Sequence, residues 1–434
     1  MGVQSVANHI DVPRSGYGSL FFASLEKKMS YLKSLTGKLF SPEFGFFAFV
    51  LAISITYCVL PFLLFVFFSA DEYFLKISVL TVFSVVFLLV GYFTPLIDGQ
   101  FSPNVCRVVV SGACFNFSVW VLFLFFLFYT FYTAPSIPLY SSLQGASAED
   151  LSLERGAFFK GRTGVETILL YLSTIFTTFL VPYSLVLMYQ ARNRWRHLFF
   201  ILFFAFCISF LQKSLFLNVF LPLMVFLAVR GRLSFRAFLA FLSLILIILV
   251  IAVFLSLGEA SMEVVGGDVE PKYYFSSGYL PLGGVDYFLW RAFAVPLFTA
   301  TDTLLVHSEI FEGEFLMGAT STLLSLILGI DRINVERFVF QHQFGSWNEI
   351  ANSNAVFISD AYLNFGWVGV FLFSLFVGQV FRWFKLSNDL AFKSLWPIFA
   401  LKLYSASLIG LLFSNGLLYI LFHALFLRIS FIKK

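Results

Sequence analysis

Long apolar segments recur along the whole chain, and they constrain its fold more than any other feature. Of the 434 residues, 59% are hydrophobic and 12% are charged, whereas a soluble domain has about a quarter charged residues. Apolar runs of about 18 residues or more indicate transmembrane helices. The sequence therefore predicts an all-α, polytopic integral membrane protein and excludes a large water-soluble core.

We expect about ten transmembrane helices, with both termini in the cytoplasm. The predicted spans are 44–68, 75–95, 108–132, 165–190, 198–211, 215–229, 237–257, 365–384, 395–413 and 416–430. The orientation follows from the short basic turns 191–197 and 230–236, because lysine and arginine collect on the cytoplasmic side. Two sizeable loops, 133–164 and 258–364, then face outward.

This topology divides the chain into four parts. A cytoplasmic tail covers 1–43, the first seven helices cover 44–257 with the smaller outer loop, the large outer loop covers 258–364, and the last three helices cover 365–434. The tail shows no small-residue cleavage site after a short apolar region, so we expect no cleaved signal. The four cysteines lie in or beside the predicted spans and indicate neither a disulfide framework nor a CxxC site.

Two apolar pieces of the large loop, Tyr287–Val306 and Phe315–Ile330, either cross the membrane as a hairpin or lie at its surface. A crossing would put the acidic turn 307–314, which has no lysine or arginine, in the cytoplasm. It would also bury Arg291 and Asp302 in hydrocarbon, where charges are costly. We therefore expect helices that lie on or dip into the outer interface.

The segment 198–229 has to cross the membrane twice with few residues for each pass. Roughly 16 residues give a helix of about 24 Å, shorter than the hydrocarbon core of about 30 Å. Lys213, at the apex, is therefore expected below the outer surface, where an ionisable residue suggests function. The alternative is a lysine that snorkels to nearby headgroups.

Basic residues of the outer loops suit phosphate oxygens. Arg155, Lys160 and Arg162 end the smaller loop among glycines, which let a backbone approach a ligand closely, and arginine offers a planar fork for phosphate. A solvated charge cluster near anionic headgroups is the alternative. Arg291 lies among aromatic residues, and it needs a partner there, either Asp286 or an anionic ligand.

Amides, carboxylates and aromatic rings are dense where the large loop ends. The residues concerned are Glu349, Asn352, Asn354, Asp360 and Tyr362. Such groups suit sugar hydroxyls and sugar faces, while helix capping and turn formation offer a structural alternative.

Other site chemistries find less support. His307 and His342 are the histidines of the outer loops, and each is a candidate general base, although a lone histidine is more often a packing or surface residue. No HExxH pattern or ion-binding carboxylate spacing occurs, so the sequence predicts no dedicated metal site and no cofactor. No basic stripe interleaves with exposed aromatics, and we expect no nucleic-acid partner.

Over about its last two-thirds, the chain resembles the O-antigen polymerases of the Wzy type, a family of multi-span glycan polymerases with two sizeable periplasmic loops. The likeness rests on Gln212-Lys213, on the segment 286–293, and on Asn352-x-Asn354 followed by Tyr362, Gly366 and Gly369. Some members have two adjacent basic residues where this chain has Trp290-Arg291, so this chain offers one cation at that place.

The resemblance implies a metal-independent glycosyltransferase of the GT-C type in the bacterial inner membrane, with its active site facing the periplasm. It would polymerise undecaprenyl-diphosphate-linked oligosaccharide repeats into long-chain O-antigen or a related surface polysaccharide. A Wzz-type chain-length regulator, a flippase and membrane lipids would be its partners. An O-antigen ligase, or a flippase or transporter of the same lipid, is the alternative.

Glycosyl transfer from a lipid diphosphate assigns roles to these residues. Without a metal, the negative charge on the departing diphosphate has to be met by arginine or lysine. The residues expected at the diphosphates are Arg155, Arg162, Lys213 and Arg291. The candidates for sugar contacts, or for the base that takes the proton of the acceptor, are Glu349, Asn352, Asn354 and Asp360.

Overall fold

The computed structural model describes residues 37–96, 108–160, 162, 164–211, 215–233, 236–241, 243–244, 246–247, 284–345 and 351–430. The predicted site residues Lys213 and Glu349 lie outside these ranges, as do most of the N-terminal tail and the first part of the large loop. The chain is 78% helical, which agrees with the predicted all-α class.

Helices follow one another with a single pair of short strands in the described ranges. In chain order the elements are α1 (Pro42–Phe68), α2 (Glu72–Phe93), β1 (Val108–Ser111), α3 (Gly112–Tyr132), α4 (Pro138–Leu143), α5 (Ala148–Lys160), a 3-10 turn (Gly164–Thr167), α6 (Ile168–Gln190), α7 (Arg196–Ser209), α8 (Leu215–Val229), α9 (Gly284–Leu289), α10 (Val295–Glu309), α11 (Thr322–Leu328), α12 (Val335–Phe344), α13 (Phe357–Leu386), α14 (Leu390–Lys393), α15 (Trp396–Ser405), α16 (Leu408–Phe413), α17 (Leu417–Phe426) and β2 (Leu427–Ser430).

Five of these helices are long and apolar enough to cross a membrane, namely α1, α2, α3, α6 and α13. Each coincides with a predicted span to within a few residues, except that α13 starts eight residues before its predicted span, 365–384. The protein is therefore membrane-embedded, whereas ten crossings stay a prediction.

Three π-helical turns interrupt the described helices, each just before a proline. The pairs are Ile55–Val59 with Pro61, Phe176–Leu180 with Pro182, and Trp290–Ala294 with Pro296. A proline lacks the N–H of an α-helical hydrogen bond, and its ring clashes with the carbonyl four residues earlier. The wider turn accommodates that ring without breaking the helix.

The carbonyls displaced by two of these prolines find hydroxyl donors on neighbouring helices. Thr81 Oγ1 donates to the carbonyl of Tyr57 at 3.0 Å, four residues before the first proline. Tyr404 Oη donates to the carbonyl of Ala292 at 3.1 Å, four residues before the third. Such bonds matter in a membrane, because lipid supplies no replacement donor.

Among the described helices, α2 and α13 make the most extensive contact, and they run parallel. Backbone contact is possible because a Cβ on Gly91 or Gly378 would lie 2.2–2.3 Å from a carbonyl of the other helix. Small residues permit this approach in membrane bundles. Ser84 and Ser374 share a hydrogen bond of 2.7 Å, and Gln379, farther along, donates to the carbonyl of Gly91 at 2.5 Å.

The last two predicted spans, 395–413 and 416–430, are not continuous helices. α15 ends at Ser405, and Ser407 begins α16 by accepting a hydrogen bond from the N–H of Gly410 at 3.0 Å. Gly416 has a positive φ of 82° and separates α16 from α17. Polar and small residues thus break this apolar region into three short helices.

Strand pairing alters the ends of two predicted spans. β1 pairs in parallel with β2, Val108 opposite Leu427. The span predicted to begin at 108 therefore becomes helical only at Gly112, and the one predicted to end at 430 stops as a helix at Phe426. The valine run of β1 explains the first change, since β-branched residues favour strands.

The short helices predicted on either side of Lys213 are confirmed. α7 has 14 residues and α8 has 15. At 1.5 Å per residue each helix is about 21–23 Å long, less than the hydrocarbon thickness of about 30 Å. The position of the apex between them lies outside the described part.

The apolar pieces of the large loop form helices outside the five candidate spans. A π turn joins α9 to α10, while α11 has seven residues and reaches only about 10 Å. Leu326 and Ile327 on α11 are 82% and 68% exposed. A helix as short as α11 does not span the hydrocarbon core, and the interfacial placement of this region stays a prediction.

Candidate functional site

A cavity of about 300 Å³ lies where the large loop meets the broken helices α15–α17. Its walls come from α6, α10, α12, the start of α13, and the breaks around α16. Most of its lining side chains carry hydroxyl, amide, carboxyl or guanidinium groups, namely Tyr171, Thr174, Thr303, Thr320, Ser321, Thr322, Arg332, Asn334, Glu336, Ser353, Asn354, Asp360, Ser407, Ser414 and Asn415. Two of the predicted residues, Asn354 and Asp360, therefore share one cavity.

A kink at Gly366 positions the start of α13 beside this cavity. Gly366 has φ 61° and ψ −147°, which interrupts the helix after its first nine residues, 357–365. The carbonyls of Leu363 and Asn364 then accept hydrogen bonds from the N–H groups of Leu316 and Met317, at 3.1 and 3.0 Å. These bonds attach the first part of α13 to the turn 316–320.

Asn364 anchors the buried carboxylate of Asp360. Its Nδ2 donates to Asp360 Oδ1 at 3.1 Å and to the Asp360 carbonyl at 2.9 Å. Its Oδ1 accepts from the N–H of Gly318 at 3.0 Å. Asp360 is only 6% exposed, and its second oxygen, Oδ2, has no hydrogen-bond partner in the described structure. One carboxylate oxygen is thus fixed, while the other keeps its capacity to accept a proton.

Glu336 brings a second carboxylate to the cavity. With its amide oriented so that the nitrogen faces this carboxylate, Asn354 donates to both oxygens of Glu336, at 3.0 and 3.3 Å. The N–H of Ser353 donates to the Glu336 carbonyl at 3.0 Å. Glu336 also lies near enough to Asp360 to interact with it electrostatically. Two carboxylates and an amide thus form one polar group.

A hydrogen-bond relay holds the segment 351–354 in place. Gln343 Nε2 donates to Asp302 Oδ2 at 2.6 Å, and Ser353 Oγ donates to Gln343 Oε1 at 2.8 Å. Burial raises the pKa of Asp302 to about 6, with a smaller contribution from Asp71 in the same direction, against the opposing effects of the Gln343 hydrogen bond and of His342. α10 and α12 together support this side of the cavity.

Arg332 supplies a cation at the cavity wall. Among the lining residues that the structure describes, it is the one lysine or arginine, and its side chain is exposed. Arg337, on α12, instead points one donor, Nη1, at the carbonyl of Ala351 at 3.4 Å. A ligand with a negative group therefore meets Arg332 at this wall.

Arg162 uses its guanidinium within the fold. Nε donates to the Phe158 carbonyl at 2.8 Å and Nη2 to the Thr130 carbonyl at 3.0 Å. Nη1 donates to Thr133 Oγ1 and pairs with Glu166 at 3.2 Å. The side chain is 8% exposed as a whole residue. These contacts favour a structural role over the predicted diphosphate contact.

The other predicted basic residues occupy different surroundings. Arg155 donates from Nε to the Leu151 carbonyl at 3.0 Å, and burial lowers its pKa. Lys160 ends α5, and its side chain lies outside the described residues. Arg291 is exposed in the π turn before α10, and no described carboxylate lies within 4 Å of it, Asp286 included. An anionic ligand therefore remains the expected partner of Arg291.

Tyr362 lies away from the cavity lining, in an aromatic group. The Lys76 ammonium stands 4.6 Å from its ring centre, and His307 contacts its ring edge. His307 is buried, its Nε2 lies 2.9 Å from the Glu314 carbonyl, and burial lowers its pKa. These contacts support the interpretation of His307 as a packing residue.

Asn352, another predicted sugar contact, is half-buried next to the cavity segment and does not line the cavity.

Sequence reasoning missed several residues of this cavity. Glu336 and Arg332 belong to the polar segment 331–337, which was not singled out as a site, and the apolar spacing of Val335 and Val339 predicts a one-sided helix there. Ser407 and Asn415 carried a usable signal, since polar residues inside an apolar segment indicate a functional or broken region.

A comparison of the chain with protein-family models, with curated proteins and with solved structures finds no match. The functional interpretation therefore depends on the geometry of the cavity and on the resemblance noted in the sequence.

Proposed function

We propose that the protein is a membrane-embedded glycosyltransferase of the Wzy type, which joins lipid-diphosphate-linked oligosaccharide repeats at the periplasmic face of the inner membrane. The observation that carries this proposal is the cavity around Asp360, with its hydroxyl, amide and carboxylate lining. Buried polar groups are costly unless they are hydrogen-bonded, and a saccharide offers donors and acceptors in comparable density.

The size and the surroundings of the cavity suit part of a membrane-borne glycan. Its volume of about 300 Å³ lies at the lower end of small-molecule pockets, about 300–1,000 Å³. The breaks between α15, α16 and α17 form one wall. Non-helical backbone in a membrane is tolerated where it is buried in protein or lines a cavity, and this wall meets both conditions.

The direction of the helices supports the proposed topology. α2 and α13 run parallel, so the chain between them has to cross the membrane an odd number of times. The ten-span topology has five crossings there, and it puts the large loop and the cavity on the outer side.

In the proposed reaction, a hydroxyl oxygen of the acceptor saccharide attacks the anomeric carbon of the donor. The bond from that carbon to the diphosphate oxygen breaks, and the lipid diphosphate leaves with the bonding electrons. Asp360 takes the acceptor proton. Glu336 and Asn354 orient sugar hydroxyls, while Arg332 stabilises the departing negative charge. Arg291, which does not line the cavity, is the second cation proposed for the diphosphate.

The test is in vitro elongation with purified protein and purified lipid-linked repeat units. We expect a ladder of products that grows by whole repeats. A complementary test deletes the gene and examines surface glycan, where single-repeat chains support a polymerase. Loss of all chains would point to a ligase or a flippase, and an unchanged ladder would contradict the proposal.

A further inference from the structure

An open recess of about 740 Å³ lies at a different place in the fold, among the start of α1, the end of α8 and the end of α14. Its lining includes the side chains of Lys38, Arg230 and Lys393, with Ser41 and Glu43 beside them. Three cations from three separate parts of the chain thus surround one concavity. In the ten-span topology it lies on the cytoplasmic side.

The three cations of the recess outnumber the one carboxylate of its lining, Glu43. Within the described ranges, no carboxylate lies within 4 Å of the charged groups of Lys38, Arg230 and Lys393. Desolvation lowers the pKa of Arg230, and the neighbouring Arg232 and Arg192 lower it further. Like charges held this close favour a bound anion.

Exposed apolar side chains stand next to the recess residues in the chain. Phe44 and Phe47, on the first turns of α1, are 47% and 49% exposed, and Leu51 on the next turn is 61% exposed. Val229, at the end of α8, is 37% exposed beside Arg230. A ligand that fits both regions has an anionic head and apolar chains.

Trp396 fixes the wall of the recess. Its Nε1 donates to the Phe40 carbonyl at 3.1 Å, between Lys38 and Ser41. Its ring lies against Gly45, where a Cβ would come within 2.6 Å of the indole. The segment that carries Lys38 is therefore held against α15, and the cations keep their spacing.

We propose that this recess binds the phosphate of an anionic phospholipid, whose acyl chains lie along Phe44 and Phe47. Lys38, Arg230 and Lys393 contact the headgroup. Basic recesses beside membrane helices bind acidic headgroups in this way. Residues 1–36 are a poor occupant, because their four basic residues, Arg14, Lys27, Lys28 and Lys33, outnumber Asp11 and Glu26. The proposal does not depend on the glycan chemistry of the other cavity.

The experiment uses native mass spectrometry of the full-length protein, loaded with phosphatidylglycerol or with phosphatidylcholine. We expect wild-type protein to retain one phosphatidylglycerol preferentially. Lys38→Gln, Arg230→Gln and Lys393→Gln should each weaken that retention about fivefold. Arg194→Gln is the matched control, because Arg194 is an exposed cation outside the recess, stacked over Trp195.

Arg230→Lys keeps the charge and should retain the lipid, which separates loss of binding from loss of folding. Equal retention of phosphatidylglycerol by wild type and all three glutamine variants would overturn the proposal. Inorganic diphosphate is the second probe. If millimolar diphosphate displaced the lipid completely and bound on its own, the site would be assigned to a soluble anion instead.

Discussion

Asn364 donates a hydrogen bond to the carboxylate of Asp360, one helical turn earlier, at 3.1 Å. The same amide accepts from the N–H of Gly318, so it joins the proposed base to the turn 316–320. The pair gives Asp360 a fixed orientation and leaves its second oxygen for chemistry. Substitution can separate these two roles.

Asp360→Asn should abolish elongation while it preserves the fold. The new amide oxygen can still accept from Asn364, and the buried negative charge is removed, so stability should not fall. Loss of a general base costs on the order of 100- to 10,000-fold in rate. The measurement is repeat-unit elongation at matched protein levels, together with thermal stability in detergent.

Asp331→Asn is the control for this substitution, since Asp331 is an exposed carboxylate outside the cavity lining and should leave the rate unchanged. A wild-type rate in Asp360→Asn would remove Asp360 from the mechanism. A large fall in stability would instead make it a structural residue.

Gly366→Ala should destabilise the protein and slow elongation. Gly366 has φ 61°, and a Cβ there would lie 2.7 Å from the ring of Phe315. Gly313 also has a positive φ, of 75°, but open space around it. Gly313→Ala therefore carries only the strain of a positive φ, about 1 kcal/mol. Gly366→Ala adds the contact with Phe315 and a ψ of −147°, a combination with positive φ that is nearly confined to glycine, so it should cost clearly more in a thermal unfolding series. Equal costs would show that neither feature constrains the kink.

Asp302→Asn should change how stability depends on pH. The folded pKa of Asp302, about 6, is raised above its ordinary value of 3.8, so the folded state holds a proton that the unfolded state has lost between those values. Wild-type stability should therefore fall as the pH rises from 4 to 6, by roughly 2–3 kcal/mol. Asp302→Asn should lack this part of the fall. If the unfolding free energies of the two proteins changed in parallel between pH 4 and 7, this prediction would be wrong.

Arg291→Lys should slow elongation strongly if Arg291 binds a diphosphate. One ammonium cannot reproduce a bidentate guanidinium fork, and loss of such a contact costs on the order of 2–4 kcal/mol, roughly 30- to 1000-fold in rate. No described carboxylate lies within 4 Å of Arg291, so Asp286→Asn should not rescue Arg291→Gln. Rescue by that double change, measured as elongation, would make Arg291 a structural partner of Asp286.

Continuous apolar runs made five membrane helices predictable, because length and hydropathy are local properties of the chain. The region 395–430 looked equally apolar, yet it breaks at Ser407 and Gly416. A capping serine and a glycine with positive φ are local signals, but tertiary contacts decide whether they interrupt a helix. Thr174 supplies one such contact, since its hydroxyl donates to the Ser414 carbonyl at 2.6 Å.

The site was predictable only where its residues are neighbours in sequence. Asn354 and Asp360 stand in one polar motif, whereas Glu336 joins them only after α12 packs beside the start of α13. Arg162 is the opposite case, since its contacts favour a structural role. Its partners Thr130 and Thr133 lie about one loop earlier in the chain, and no spacing rule indicates that they meet.

The π turn Trp290–Ala294 sets the direction in which α9 faces relative to α10. Such a turn holds one residue more than the α-helical turn it replaces, and each residue rotates a helix by about 100°. The π turn therefore offsets the rotational phase of α9 from that of α10. If one residue were deleted from this turn, α10 would stay packed on α12, and α9 would rotate about the helix axis by about 100°. The direction in which α9 faces is thus set by residue count, independently of side-chain identity.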